Sequence, residues 1–203
     1  MVNRAFDPGV PGVIEALRDA TRSRHARLAA SSAMVRLFDS AYTVSEYRTH
    51  LGRLLGLFEP LERAVADATD PADPGYAIQR SRDLREDLHI MGATAKEIDA
   101  LERCHQLPPI VSAGLAGYTY VILGSMLGGK IIVERLRAVL GPDASFLFYG
   151  DANGRSEAVW ASFRSELEES GESDVPMICA TAVGIFDAYA AWLSDPPRLA
   201  GGR

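Results

Sequence analysis

Apolar positions recur along the chain at spacings of three and four, the period of an amphipathic helix, and no stretch alternates as a strand would. Ile14, Leu17, Thr21, His25 and Leu28 mark one face of a first helix, predicted over about 12–30. Thr43 and Glu46 have the spacing of a capping box, in which each side chain satisfies the other's backbone N–H. They start a long helix whose stripe of Tyr47, Leu51, Leu54, Phe58, Leu61 and Val65 reaches about residue 68. The loop DATDPADPG, 67–75, follows it. A polar helix then runs to His89 and breaks at Met91-Gly92. Thr94 and Glu97 open a short helix expected to stop before Pro108. A central apolar helix is predicted from near Pro109 to about Leu140, and an aromatic turn region follows it over 142–154. One helix covers about 156–169, and the last begins near Asp174 with Pro176 in its first turn. The pattern predicts an all-α, single-domain bundle of seven or eight helices over 12–196, with a lead-in at 1–11 and a tail at 197–203.

The central helix holds glycines where a helix interior least favours them, each costing about 0.5–1 kcal/mol against alanine. Gly124 and Gly128 lie one turn apart on one face, followed by Gly129. Such a bare strip lets another helix or a flat ligand lie against the backbone.

Composition narrows the options. The chain has 203 residues, 47% of them hydrophobic, enough for one sizeable core. A net charge of −6 argues against nucleic acid, whose phosphates need a basic footprint. Cys104 and Cys179 form no CxxC motif and no signal peptide precedes them, which reads as a cytoplasmic chain. The uncharged run 104–129 is long enough to span a bilayer, but two prolines, five glycines and two tyrosines dilute it. It reads as a buried core helix, with no membrane partner.

Three groups could carry chemistry. His25 faces the apolar side of the first helix, where it is either a core histidine satisfied by local partners or an axial ligand to a metal or heme iron. Arg18 precedes it by seven residues on nearly the same face, with Arg22 one turn from Arg18. Two cations beside a ligating histidine suit a ligand with an apolar body and carboxylate edges; the other reading is a solvated helix face. Glu86 with His89 and Glu102 with His105 have the Glu-x-x-His spacing of di-iron carboxylate bundles. The Gly92 break and the helix end before Pro108 make solvated surface residues the better reading of both. His50 has polar neighbours in sequence and carries no assigned role. No GxSxG, P-loop or GxGxxG stands in a suitable context.

Three segments together resemble the heme oxygenase family. LRDATRSRHARL, 17–28, is similar to its proximal helix, with His25 at the position that binds heme iron. YVILGSMLGG, 120–129, resembles its distal helix, with Gly124, Gly128 and Gly129 at the glycine positions. WASFRSEL, 160–167, resembles the later helix whose basic residue, here Arg164, meets a heme propionate. The GSxLGG form resembles bacterial members that make biliverdin for bacterial phytochromes.

The resemblance implies heme, both cofactor and substrate, sandwiched between proximal and distal helices. It implies an enzyme that opens the ring with molecular oxygen and electrons from a ferredoxin, flavodoxin or reductase. The products are biliverdin, carbon monoxide and ferrous iron. His25 is then the iron ligand, with Thr21 beside it. Arg18, Arg22, Arg164 and Tyr120 are placed near the propionates, and Trp160 and Phe163 pack. Animal-type members carry aspartate directly after the first distal glycine, where this chain has Ser125. A hydroxyl holds a water but lacks a carboxylate's charge. The alternatives are a heme-binding or trafficking protein without turnover, and a non-heme di-iron helical protein.

Overall fold

The computed structural model describes residues 12–69, 79–141, 144–150, 156–169 and 174–194. Among them are eight α-helices and no strand: α1 Val13–Ala29, α2 Ser32–Arg36, α3 Val44–Ala68, α4 Ser81–Ile90, α5 Ala95–Asp99, α6 Leu115–Leu140, α7 Ser156–Glu169 and α8 Val175–Ser194. The expected lead-in over 1–11, loop over 70–75 and tail over 197–203 lie outside the described residues.

Both capping boxes form: Thr43 Oγ1 accepts from Glu46 N–H, and Thr94 Oγ1 from Glu97 N–H. The helix after Thr94 is nevertheless only Ala95–Asp99, and the central helix starts at Leu115 rather than near Pro109, behind a 3-10 turn at Ser112–Gly114. The reason lies in α3. Pro60 has no N–H to give the Gly56 carbonyl, and Cys104 N–H takes that acceptor at 2.8 Å. The segment between α5 and α6 is thereby pinned against α3 instead of coiling. Sequence periodicity also passed over α2, which is a single turn capped by Ser31.

Helix α8 is the hub. Both α1 and α6 pack chiefly on it, and α6 approaches closely because a Cβ on Gly117 would overlap the Ile178 carbonyl oxygen. The core runs through fully buried Leu17, Leu51, Leu54, Leu84, Ile122 and Leu136. By length and composition Ser112–Leu140 and Val175–Ser194 could each cross a bilayer, yet here they pack on one another. What matters for function is a gap: α1 and α6 share α8 as a support but scarcely touch each other.

Candidate functional site

That gap is a cavity of about 500 Å³, within the size range of small-molecule sites. Helix α1 lines it with Arg18, Thr21, Arg22 and His25, and α6 lines it with Tyr120, Gly124, Ser125 and Gly128. The structure therefore gathers eight of the ten sequence-predicted site residues around one space.

The glycines divide into two kinds. A Cβ added to Gly124 or Gly128 would meet nothing within 4 Å, so bare helix backbone opens onto the cavity there. Gly129 differs from the expectation. A Cβ on it would overlap the Tyr149 carbonyl oxygen, so it serves the close packing of α6 on the 144–150 segment and does not line the cavity.

His25 is exposed, not a core histidine, and its ring meets Phe186 edge-on at 5.9 Å. The next residue back, Arg24, donates from Nε to Asp187 at 3.1 Å and so fixes α1 against α8 beside that ring contact. Neither His25 nitrogen has a hydrogen-bond partner among the described residues. Thr21 is buried and donates its hydroxyl proton to the Leu17 carbonyl at 2.7 Å. Arg22 pairs with Asp19 at 2.5 Å, whereas Arg18 has no carboxylate partner among the described residues.

On α6, Ser125 Oγ donates to the Ile122 carbonyl at 2.7 Å, which occupies its proton and leaves its oxygen as an acceptor. The Tyr120 ring lies 5.7 Å from that of Trp160, which also lines the cavity. Arg164 is not in the lining. It stands one turn beyond Trp160, half-exposed, with Glu168 3.9 Å away on the same helix.

Other lining residues were not singled out in the sequence: Phe148 and Tyr149 from the aromatic turn, Phe186 and Tyr189 from α8, and Met34 from α2. The FLFYG run was the available signal for the first pair, and the three-residue spacing of Phe186 and Tyr189 for the second. His50, placed among polar neighbours by sequence, is buried, with Nε2 2.6 Å from the Tyr149 hydroxyl. Burial lowers its pKa to about 4.

The di-iron geometry does not assemble. Glu86 and His89 line a separate groove on α4, Glu102 and His105 lie outside any helix, and no three His, Cys, Asp or Glu side chains cluster among the described residues. What the cavity offers is an apolar slot with bare backbone on one helix and an imidazole and two guanidiniums on the other.

Comparisons with known proteins agree in kind. The family model described as heme oxygenase matches residues 12–195. A heme oxygenase from Xanthomonas campestris pv. campestris (strain 8004) is 36% identical over 92 residues. That stretch is 44% of this chain and 51% of the relative, so it spans about half the relative's length. The heme oxygenase from Leptospira interrogans superimposes with a TM-score of 0.73 at 18% identity, covering 91% of this chain and 99% of that one. Heme oxygenase-1 from the cyanobacterium Synechocystis sp. PCC6803, in complex with heme, gives 0.70 at 15% identity, covering 90% and 91%. At these identities the solved structures show a shared fold.

Proposed function

This chain belongs to the heme oxygenase family, and from that premise we propose that it binds heme between α1 and α6 and opens the ring. The products are biliverdin, carbon monoxide and ferrous iron. Molecular oxygen and electrons from a ferredoxin, flavodoxin or reductase are consumed, and a bacterial phytochrome is the proposed biliverdin acceptor. Free thiols at Cys104 and Cys179 support a reducing, cytoplasmic setting.

The observation that carries this reading is the pairing of His25 on α1 with open backbone at Gly124 and Gly128 on α6, across one cavity. A flat apolar ligand fits such a slot, and its carboxylates fit the guanidiniums of Arg18 and Arg22. When bound, heme supplies the iron that takes up oxygen and the macrocycle that is oxidised.

The chain supplies the rest. His25 would hold the heme iron through an imidazole nitrogen, with Thr21 one turn earlier on the same cavity-lining face of α1. Arg18, free of a carboxylate partner among the described residues, is the strongest propionate anchor on α1. Arg164 lies outside the cavity lining, and its long, half-exposed pairing with Glu168 leaves it available as the proposed second propionate anchor. Gly124 and Gly128 admit the ring against the α6 backbone. Ser125 accepts a hydrogen bond from water and so orients it, while Tyr120 adds a hydroxyl on the same helix. With heme in the slot, the apolar walls formed by Phe148, Tyr149, Phe186 and Tyr189 would limit the access of bulk water.

One observation favours a second reading, a heme-binding protein without turnover. The Ser125 proton is committed to Ile122, and no carboxylate lines the cavity among the described residues. Turnover separates the two readings.

The binding step is tested by titrating ferric heme into the wild type and His25→Ala and following the absorption spectrum. The wild type is expected to give a histidine-ligated Soret band that His25→Ala loses, with weaker binding. The same spectrum in both proteins would refute the ligand assignment.

A further inference from the structure

His50 on α3 has no part in the function proposed above, yet it is bonded to a residue of the cavity wall. Its Nε2 lies 2.6 Å from the Tyr149 hydroxyl, and the two rings stack at 12° with centroids 6.0 Å apart. Tyr149 lines the cavity and is 5% exposed. Its carbonyl is packed under Gly129 of α6, and Asp87 of α4 accepts from the two preceding amides, Leu147 N at 2.8 Å and Phe148 N at 2.9 Å. Tyr149 and the residues before it are thus held from three helices, and among the described residues only the His50 contact holds its side chain's polar end.

The direction of that bond follows from chemistry. Burial keeps His50 neutral, at about 4, and holds the Tyr149 phenol well above its ordinary value. The titratable groups that act on the Tyr149 phenol are Tyr42, Tyr47 and Tyr189, all phenols themselves. Among the described residues the charged groups beside it engage the preceding backbone instead: Asp87 accepts from Phe148 N, and Arg80 donates to the Phe148 carbonyl. A phenol O–H is a stronger donor than a neutral imidazole N–H. Tyr149 therefore donates to Nε2, and the imidazole proton sits on Nδ1. The same commitment recurs in the lining: Thr21 donates to Leu17 and Ser125 to Ile122, each at 2.7 Å.

We propose that His50 is a positioning residue for the heme cavity, acting through Tyr149: it accepts the phenol proton, fixes the ring in the wall and leaves Tyr149 unable to donate into the cavity. The proposal rests on the heme-binding reading for its ligand, but the bond itself is testable without one.

Nitrogen NMR of the protein without heme reads the His50 tautomer. The expected result is Nδ1–H with Nε2 as acceptor, and a shifted Nε2 resonance in Tyr149→Phe. An Nε2–H tautomer would overturn the proposal. Ferric heme titrations of His50→Gln, His50→Leu, Tyr149→Phe and His50→Leu/Tyr149→Phe read the consequence.

His50→Leu should weaken binding by about tenfold, the size of one hydrogen bond, and shift the visible bands, while His50→Gln stays within about threefold of wild type. In the Tyr149→Phe background, His50→Leu should add nothing. An equal loss in both backgrounds would mean His50 acts by packing alone, and the proposal would fall. Should His50→Leu not fold, the His50→Gln titration and the tautomer decide. A wild type that binds no heme would refute the heme reading, leaving the tautomer result to judge the His50–Tyr149 bond.

Discussion

Asp87 accepts the backbone N–H of Phe148 at 2.9 Å, and through that bond a residue of α4 shapes a cavity it does not touch. The same carboxylate accepts from Leu147 N at 2.8 Å and Ser145 Oγ at 2.5 Å. Burial pushes the Asp87 carboxyl up, against the pull of these three donors. Asp87→Ala would strand two amides with no acceptor. A loss of about 2–5 kcal/mol is expected, against about 1–3 for Asp87→Asn, which keeps one oxygen. Urea unfolding measures both, and equal losses would show that the amides find other acceptors.

The buried imidazole gives stability a pH dependence. His50 sits at about 4 when folded, against an ordinary 6.5, so the unfolded chain binds the extra proton between those values. Stability is complete above about pH 6.5 and falls as the pH drops toward 4, by about 3 kcal/mol in all. His50→Leu removes this loss. The raised carboxyls of Asp87 and Glu62 act in the opposite sense, but they are common to both proteins and cancel in the difference. Urea melts at pH 7, 5.5 and 4 should show the stability gap between wild type and His50→Leu closing. Parallel curves would contradict the assignment.

The α6 glycines predict opposite outcomes one residue apart. Gly128→Ala points into open space and should stabilise the helix by about 0.5–1 kcal/mol. Gly128→Leu should fold and exclude heme. Gly129→Ala drives a methyl into the Tyr149 carbonyl and should cost about 1–3 kcal/mol. Thermal melts with heme titration separate the three, and a destabilised Gly128→Ala would mean that this face packs on protein.

Local signals were readable where local chemistry decides. The Thr43–Glu46 box set the start of α3, and the Gly124/Gly128 spacing marked a bare helix face that the structure opens onto a cavity. Long-range partners were not readable. Pro60 frees the Gly56 carbonyl, but nothing near it says that Cys104 will take it and tie the segment before α6 to α3. His50, beside Arg48 and Thr49, carries no role in the sequence because its partner, Tyr149, is 99 residues away. Gly129 reads like Gly128 until the Tyr149 carbonyl is placed against it.

The central claim is that heme held between α1 and α6 is consumed there. The most direct test adds ferric heme to the purified protein under air, with a reductase system and catalase, and follows the absorption spectrum. Decay of the Soret band with growth of a broad red biliverdin band is the predicted result, and Ser125 then suffices on the α6 side. A heme spectrum that persists unchanged while electrons are supplied would contradict it.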